Sequence, residues 1–175
     1  MYSGMENHDS MTLEISRMLR KPLEIMNRKV NQIIDQNKES SDQDQNSLVS
    51  DLKYMIYSGH DDNVVNMLNF LGHEFYWIPY ASSVVYELKY SAMCIEEKTT
   101  TNPGNLEECF GVAIRLNGSP LQLPGCTGDL FTLEGCKYPE FVQLIESKWY
   151  SGLYADDLNA ACFQPILPPP TTSIE

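Results

Sequence analysis

Basic residues are scarce in this chain of 175 residues, and this limits the partners that suit it. Lysine and arginine number 12 against 24 aspartates and glutamates, so the formal net charge at pH 7 is −12 and the pI is about 4.6. Nucleic acids and anionic membranes are bound through basic patches. The charge therefore argues against both as partners. It also disfavours phosphate esters at neutral pH, unless local cations or a low working pH offset the repulsion.

Long apolar runs, a leader sequence and paired metal ligands are also missing. No run reaches the length of a membrane-spanning helix, and the opening residues MYSGMENHDS are too polar and acidic for a secretory signal. Histidine occurs only at His8, His60 and His73. The five cysteines include no close Cys–Cys or Cys–His pair, which disfavours a zinc site. We therefore expect no metal, no cofactor and no membrane span.

The stretch from Leu52 to Gly72 has the clearest local pattern. The run Tyr54–Tyr57 is short, apolar and rich in aromatic residues, which predicts a buried strand. Gly72 is placed to end a following helix as a left-handed cap. That helix is predicted from apolar residues at helical spacing, which are Val64, Val65, Met67, Leu68, Phe70 and Leu71.

His60, Asp61 and Asp62 fall in the turn between this predicted strand and helix. Ligands of open α/β sheets bind at the carboxyl ends of strands, and a helix N-terminus suits phosphate. A carboxylate at this position also caps a helix by accepting its free N–H bonds. Spacing alone leaves both interpretations open.

The rest of the chain predicts further helices and strands. Helices are expected at about residues 10–20, from Pro22 to near Lys38 and at Pro139–Ser147; strands at Ser82–Tyr90 and Phe110–Leu116. Turn residues at 102–104 predict that the two strands form an antiparallel hairpin. Residues 121–136 read as a loop, and residues 163–175 as a proline-rich disordered tail.

Several motifs in order resemble one enzyme family. YSGHDDNVVNMLNFLG resembles the second signature of the histidine acid phosphatases, in the branch with lysosomal and prostatic-type enzymes and phytases. PYASSVVYEL, at Pro79–Leu88, is similar to the strand that follows it. LQLPGC, at Leu121–Cys126, then a cysteine and PEFVQLI, resemble the family's C-terminal end. The resemblance covers roughly residues 22–162.

The resemblance implies an α/β fold, the histidine-phosphatase or phosphoglycerate-mutase-like mixed sheet with flanking helices. The family's nucleophile lies in an N-terminal Arg-His-Gly-x-Arg motif, and no histidine here follows an arginine. Residues 1–162 are therefore expected to be the C-terminal portion of a single domain. The fold would be incomplete, and the segment 53–57 would lack its neighbouring strand.

The implied activity is acid phosphatase hydrolysis of a small-molecule phosphomonoester through a phosphohistidine intermediate. Asp61 would be the proton donor and His60 would contact a phosphate oxygen. Asp62 stands where the family usually has threonine, and its added carboxylate would repel the substrate. The resemblance needs no cofactor or metal, and a homodimer is expected of the complete domain. The chain alone is expected to be inactive.

The cysteines and a glycosylation sequon point to a lysosomal or secreted glycoprotein. We expect a disulfide between Cys94 and Cys109, because they flank the predicted hairpin turn on facing strands. A second one, Cys126–Cys136, is implied by the family's short C-terminal loop, and Cys162 would be unpaired. Asn117 begins the sequon Asn117-Gly118-Ser119, although the proline after it should lower its use.

Two other classes of function stay open. The first is a catalytically inactive remnant, or a fragment that binds a partner through an exposed sheet edge. The second is an HD-type metal phosphohydrolase with His8, His60 and Asp61 as ligands. Those domains carry the His-Asp pair on a helix, so the strand predicted before His60 argues against this alternative.

Overall fold

The computed structural model describes residues 8–37, 52–101, 105–126, 135–152 and 156–163, with the backbone alone at 8–10, 37, 101 and 162. The helices are α1 His8–Asn37, α2 Asp61–Leu71, α3 Ala92–Thr101, α4 Tyr138–Ser147 and α5 Leu158–Cys162, with a 3-10 helix at Leu106–Cys109. The strands are β1 Val84–Tyr90, β2 Phe110–Leu116 and β3 Ser119–Leu121. The fold thus combines helices with a small antiparallel sheet, which fits the expected α/β class at this coarse level. None of the described helices is long and apolar enough to cross a membrane.

Helix α1 is one continuous helix of 30 residues that includes Pro22, so the predicted break at this proline is wrong. Proline removes one backbone hydrogen bond and usually kinks or ends a helix. Here the apolar face continues on both sides of it, with Ile15 and Leu19 buried before Pro22 and Val30 and Ile34 buried after it. Packing along this face outweighs the local cost of the proline.

Helix α2 confirms the helix predicted after His60. Gly72 follows it with φ 77° and donates its N–H to the carbonyl oxygens of Asn69 and Leu68, which is the predicted left-handed cap. The Nζ of Lys148 donates to the carbonyl oxygen of Phe70 at 2.8 Å and satisfies a third carbonyl near the end of the helix. Burial lowers the pKa of Lys148.

The sheet is an antiparallel meander in the order β1-β2-β3. Strands β1 and β2 pair from Val84 opposite Leu116 to Tyr90 opposite Phe110, as predicted. Their connection differs from the predicted turn, since it contains α3 and the 3-10 helix; residues 102–104 lie outside the described part. Asn117 and Gly118, with φ 51° and 84°, make the tight turn into β3, a strand that the sequence analysis missed.

The core lies between the sheet and the helices. Its most completely buried large side chains come from five elements and comprise Ile15, Val30, Leu68, Leu71, Ile95, Phe110, Tyr138 and Ile145. Tyr86 of β1 contacts Phe141 of α4, with ring centroids 6.1 Å apart. These contacts fix α4 against the sheet and α1 against α2.

Two cysteine pairs lie at disulfide distance, with S–S separations of 1.99 Å for Cys94–Cys109 and 2.16 Å for Cys126–Cys136. These are the two pairs expected from the sequence and from the family resemblance. The reason given for the first pair was wrong, because Cys94 lies on α3 and Cys109 in the 3-10 helix rather than on facing strands. The side chain of Cys162 lies outside the described part.

Candidate functional site

Residues 52–60, which lead into the predicted site, have no regular secondary structure. The buried strand predicted at 54–57 is therefore wrong. Tyr54 is 74% exposed and Ile56 72%, and both Met55 and Tyr57 also face solvent. A strand requires a neighbour for its backbone hydrogen bonds, and no described strand pairs with this segment.

His60 is the N-cap residue of α2 and directly precedes its first helical residue. Its backbone is extended, with φ −100° and ψ 174°. The side-chain oxygen of Asn63 accepts a hydrogen bond from the backbone N–H of His60 at 2.7 Å. This is the return half of a capping box, in which the third helical residue bonds back to the N-cap. Asp61 and Asp62 occupy the first two helical positions, so neither carboxylate is the cap residue.

Gly59 permits this arrangement through its small size. A Cβ at residue 59 would lie 2.6 Å from the Oδ1 of Asn63, the atom that bonds His60. Any larger residue would therefore push Asn63 away from the backbone it holds. The sequence Gly59-His60-Asp61 fixes the backbone of the site locally.

Glu14 of α1 holds the start of α2 from the opposite side. Its carboxylate accepts hydrogen bonds from the side-chain amides of Asn63, at 2.5 Å, and Asn66, at 2.7 Å. Asn66 is only 5% exposed. Hydrogen bonds to a charged acceptor are stronger than neutral ones, so this bridge positions the N-terminus of α2 against α1.

The structure leaves the two predicted site residues at the surface. His60, Asp61 and Asp62 are all exposed at the N-terminal end of α2. The free backbone N–H groups and positive dipole end of a helix favour an anion here, whereas the two carboxylates oppose one. His73 lies beyond the other end of α2, roughly 16 Å away along an 11-residue helix, and is too distant to act with Asp61.

One argument against the metal-site alternative no longer holds, but no observation on the described residues supports that alternative. The strand that was predicted before His60 is absent, so it no longer counts against an HD-type site. The side chain of His8 lies outside the described part, and among the described side chains no three potential metal ligands are grouped.

Asn117, the predicted glycosylation site, is exposed in the β2–β3 turn, but its side chain already makes hydrogen bonds. Its Oδ1 accepts from the backbone N–H of Ser83 at 2.8 Å, and its Nδ2 donates to the Oγ of Ser82 at 3.2 Å. The second bond uses the nitrogen that would carry a glycan. Glycosylation here stays a prediction.

The sequence analysis overlooked Asn63 and Glu14. Asn63 stands three residues after His60, the spacing of a capping box, so this signal was present locally. Glu14 lies 49 residues before Asn63, and no local pattern connects them.

Searches against protein-family models, curated proteins and solved structures found no match to this chain.

Proposed function

We propose that this chain carries the proton-donor half of a histidine acid phosphatase site. Asp61 is the general acid, and His60 contacts a phosphate oxygen of a small-molecule phosphomonoester. The nucleophilic histidine comes from polypeptide outside these 175 residues. The same proposal includes a histidine-phosphatase mixed sheet as the fold of the complete domain and a lysosomal or secreted location.

One observation carries the proposal: the His-Asp pair of the motif that resembles the family lies at the N-terminus of α2 and is exposed to solvent. Asn63 and Glu14 fix the backbone of His60 at this position. The exposed run Tyr54–Tyr57 immediately before it is consistent with a neighbouring strand supplied from elsewhere. The order of motifs along the chain supports the same assignment.

The mechanism proceeds in two steps. In the first, a histidine nitrogen of the supplied segment attacks phosphorus, the P–O ester bond breaks, and Asp61 gives its proton to the leaving oxygen. In the second, the Asp61 carboxylate takes a proton from water as that water attacks phosphorus, and the P–N bond breaks to release phosphate. His60 and the N–H groups at the start of α2 stabilise the phosphoryl oxygens.

The test begins with the chain by itself. We expect residues 1–175 not to hydrolyse an aryl phosphate, because no residue matches the nucleophile. Turnover that disappears on mutation of His60 and Asp61 would contradict this expectation, whereas turnover that survives both mutations would mark a contaminant.

The second part uses the longer polypeptide, with an upstream Arg-His-Gly-x-Arg segment present. Asp61→Asn should lower kcat/KM for alkyl phosphates by about 10²–10⁴-fold and should affect activated aryl phosphates less. The matched control is Asp62→Asn, which should cost far less. Equal slowing of all substrates by Asp61→Asn, or a steeper dependence on the leaving group for Asp62→Asn, would refute the assignment.

The exposed apolar segment also favours the alternative of an inactive chain that binds a partner. A strand of the partner would pair with residues 53–57 and cover Tyr54 and Ile56. In that case no upstream nucleophile segment exists, and backbone amides of 53–57 exchange slowly only in the complex. The coding sequence upstream of residue 1 distinguishes the two candidates, since an in-frame Arg-His-Gly-x-Arg motif favours the phosphatase; hydrogen exchange on the isolated and the complexed chain tests the strand pairing itself.

A further inference from the structure

Strand β1 forms one edge of the sheet, and no described strand pairs with it on the side away from β2, its outer edge. Over its seven residues, Val84–Tyr90, β1 pairs with β2 residue for residue and without a bulge. Bulges and very short edge strands keep an edge from pairing with another chain. Strand β1 has neither, so its outer edge presents a regular row of backbone groups.

The hydrogen bonds to β2 show which backbone groups of β1 point outward. Just before β1 the carbonyl oxygen of Ser83 accepts from the N–H of Asn117 at 2.9 Å, and just after β1 the N–H of Ser91 donates to the carbonyl oxygen of Cys109 at 3.0 Å. Residues along an antiparallel strand alternate between its two sides, so the odd-numbered residues bond to β2. The outward N–H and C=O groups belong to the even-numbered residues Val84, Tyr86, Leu88 and Tyr90. No hydrogen bond joins these groups to a described residue.

Few registers allow this edge to pair, about a two-fold axis, with the same edge of a second copy. Outward residues must face outward residues, so the second copy can shift only by two residues at a time. Glu87 and Lys89 then decide among the registers. One register places Glu87 opposite Glu87 of the second copy, and another places Lys89 opposite Lys89. Like charges directly opposite each other destabilise a strand pair, so both registers are disfavoured.

The register in which Leu88 faces Leu88 of the second copy, the Leu88 register, matches the side chains. It places Glu87 opposite Lys89 of the second copy, and the two-fold axis gives this ion pair twice. On the other face Tyr90, which is 50% exposed, lies opposite Tyr86 of the second copy. Opposite charges and aromatic pairs stabilise antiparallel strands. The outward residues then exchange about six backbone hydrogen bonds.

The carboxylate of Glu87 has an oxygen available for a further cation. Within its own chain Glu87 pairs with Lys89 at 3.0 Å and with Arg115 at 3.1 Å, and both contacts use Oε2. No ion pair or hydrogen bond joins Oε1 to a described residue. A carboxylate accepts at both oxygens, so Lys89 of a second copy can bind Oε1 without displacing either cation.

We propose that β1 pairs antiparallel with β1 of a second copy of this chain in the Leu88 register, which joins the two sheets into one. The contact is isologous, so it closes as a dimer. The interface is small, and the formal charge of −12 on each copy opposes association. We expect a weak dimer, with a Kd on the order of 100 µM. The family resemblance implies a homodimer for the complete domain only and assigns no surface to it.

The first experiment follows the full chain from about 5 µM to about 1 mM, which brackets this Kd. Cys162→Ser in every sample prevents a covalent dimer through that cysteine. Sedimentation equilibrium should show the mass rising from monomer to dimer. Hydrogen exchange of the outward amides of Tyr86 and Leu88 should slow as concentration rises, whereas the Glu87 amide, bonded to β2, should exchange slowly throughout. A monomer at every concentration, or outward amides already protected at 5 µM, would overturn the proposal.

Charge reversal tests the register. Glu87→Lys and Lys89→Glu should each weaken self-association by about tenfold, because like charges then face each other twice. An equimolar mixture of the two variants should associate about as tightly as wild type, since every lysine at the contact faces a glutamate. The chain that carries both substitutions should also regain association. Glu24→Lys and Lys21→Glu make the same charge changes on α1 and are the matched controls, which should associate as wild type does.

Two results would refute this interface. If the mixture and the doubly substituted chain associate no better than the single variants, the Leu88 register is wrong. If all variants dimerise equally, the interface lies elsewhere. Association regained in the mixture also shows that both single variants fold, although Glu87→Lys loses the ion pair with Arg115. Because the contact includes neither His60 nor Asp61, its failure leaves the phosphatase proposal unchanged.

Discussion

The carboxylate of Glu14 accepts a hydrogen bond from the side-chain amide of Asn66 at 2.7 Å, across 52 residues of sequence. The same carboxylate binds Asn63, so one acidic residue joins α1 to the first turn of α2. Each oxygen of the carboxylate accepts from one neutral amide. The relationship explains how an exposed helix start is held in place.

Glu14→Ala should lower the free energy of unfolding by about 2–3 kcal/mol, because two hydrogen bonds to a charged acceptor are lost and the Asn66 amide stays buried. Urea denaturation measures the change. Glu24→Ala on the same helix is the control and should change stability little, since its ion pairs with Lys21 and Arg28 are exposed to solvent. A larger effect from Glu24→Ala would show that the bridge to α2 is unimportant.

Tyr86→Phe should raise the free energy of unfolding at neutral pH by about 1 kcal/mol, because the buried Tyr86 hydroxyl has no hydrogen-bond partner among the described residues. Burial also raises the pKa of Tyr86 above its ordinary value of 10.0. Above about pH 10 the unfolded chain loses this proton while the folded chain keeps it, so the folded state binds more protons. Wild-type stability should therefore fall as pH rises above about 10, and the slope should be smaller for Tyr86→Phe.

The measurement is urea denaturation at several pH values from 7 to 11. Tyr80→Phe is the matched control, since Tyr80 is 98% exposed and its hydroxyl is hydrated in both states. Equal slopes for wild type and Tyr86→Phe would show that the hydroxyl ionises as easily in the folded chain as in water.

Replacement of both Cys94 and Cys109 by serine should cost about 3 kcal/mol, as expected for a loop closed by cysteines 15 residues apart. This disulfide holds α3 against the 3-10 helix that precedes β2, where Cys109 is 2% exposed. Guanidinium denaturation of the variant, compared with oxidised and fully reduced wild type, gives the change. An unaltered midpoint in the double variant would mean that the disulfide does not restrict the unfolded chain.

Ile56→Ala should change stability by no more than about 0.5 kcal/mol, because Ile56 is 72% exposed. Ile114→Ala is the comparison, since Ile114 is 2% exposed in the middle of β2 and should lose about 2–5 kcal/mol. Denaturation of the two variants under the same conditions tests the exposed conformation of residues 52–60. Similar losses for both would place Ile56 in a core.

Local patterns were enough to predict α2, its Gly72 cap, α4 and the pairing of β1 with β2. In each of these the apolar residues recur at the period of the element, so the signal lies within a few residues. Tyr54–Tyr57 had the composition of a strand as well. A strand depends on a second strand that composition does not locate, and without one the same residues lie exposed.

The remaining errors have related causes. Pro22 predicted a break, but the apolar face of α1 extends past it and packs against distant residues. Helix α3 was not predicted, because turn residues follow it directly and its own sequence has no strong stripe of apolar residues at helical spacing. At the site, His60 and Asp61 were identified from a motif, whereas the hydrogen bonds from Asn63 and Asn66 to Glu14 form only where α1 packs against α2. Only the folded chain brings those residues together.

Helix α1 has partners that lie far along the chain, and this affects how the protein can be made. The Oγ of Ser16 accepts a hydrogen bond from the backbone N–H of Tyr150, 134 residues later. Glu14 accepts hydrogen bonds from Asn63 and Asn66. During synthesis α1 leaves the ribosome long before those partners exist. Packing against α2 can cover part of its apolar face once residue 71 has been translated, whereas the part that later elements cover remains open to chaperones or to aggregation until those elements have been translated.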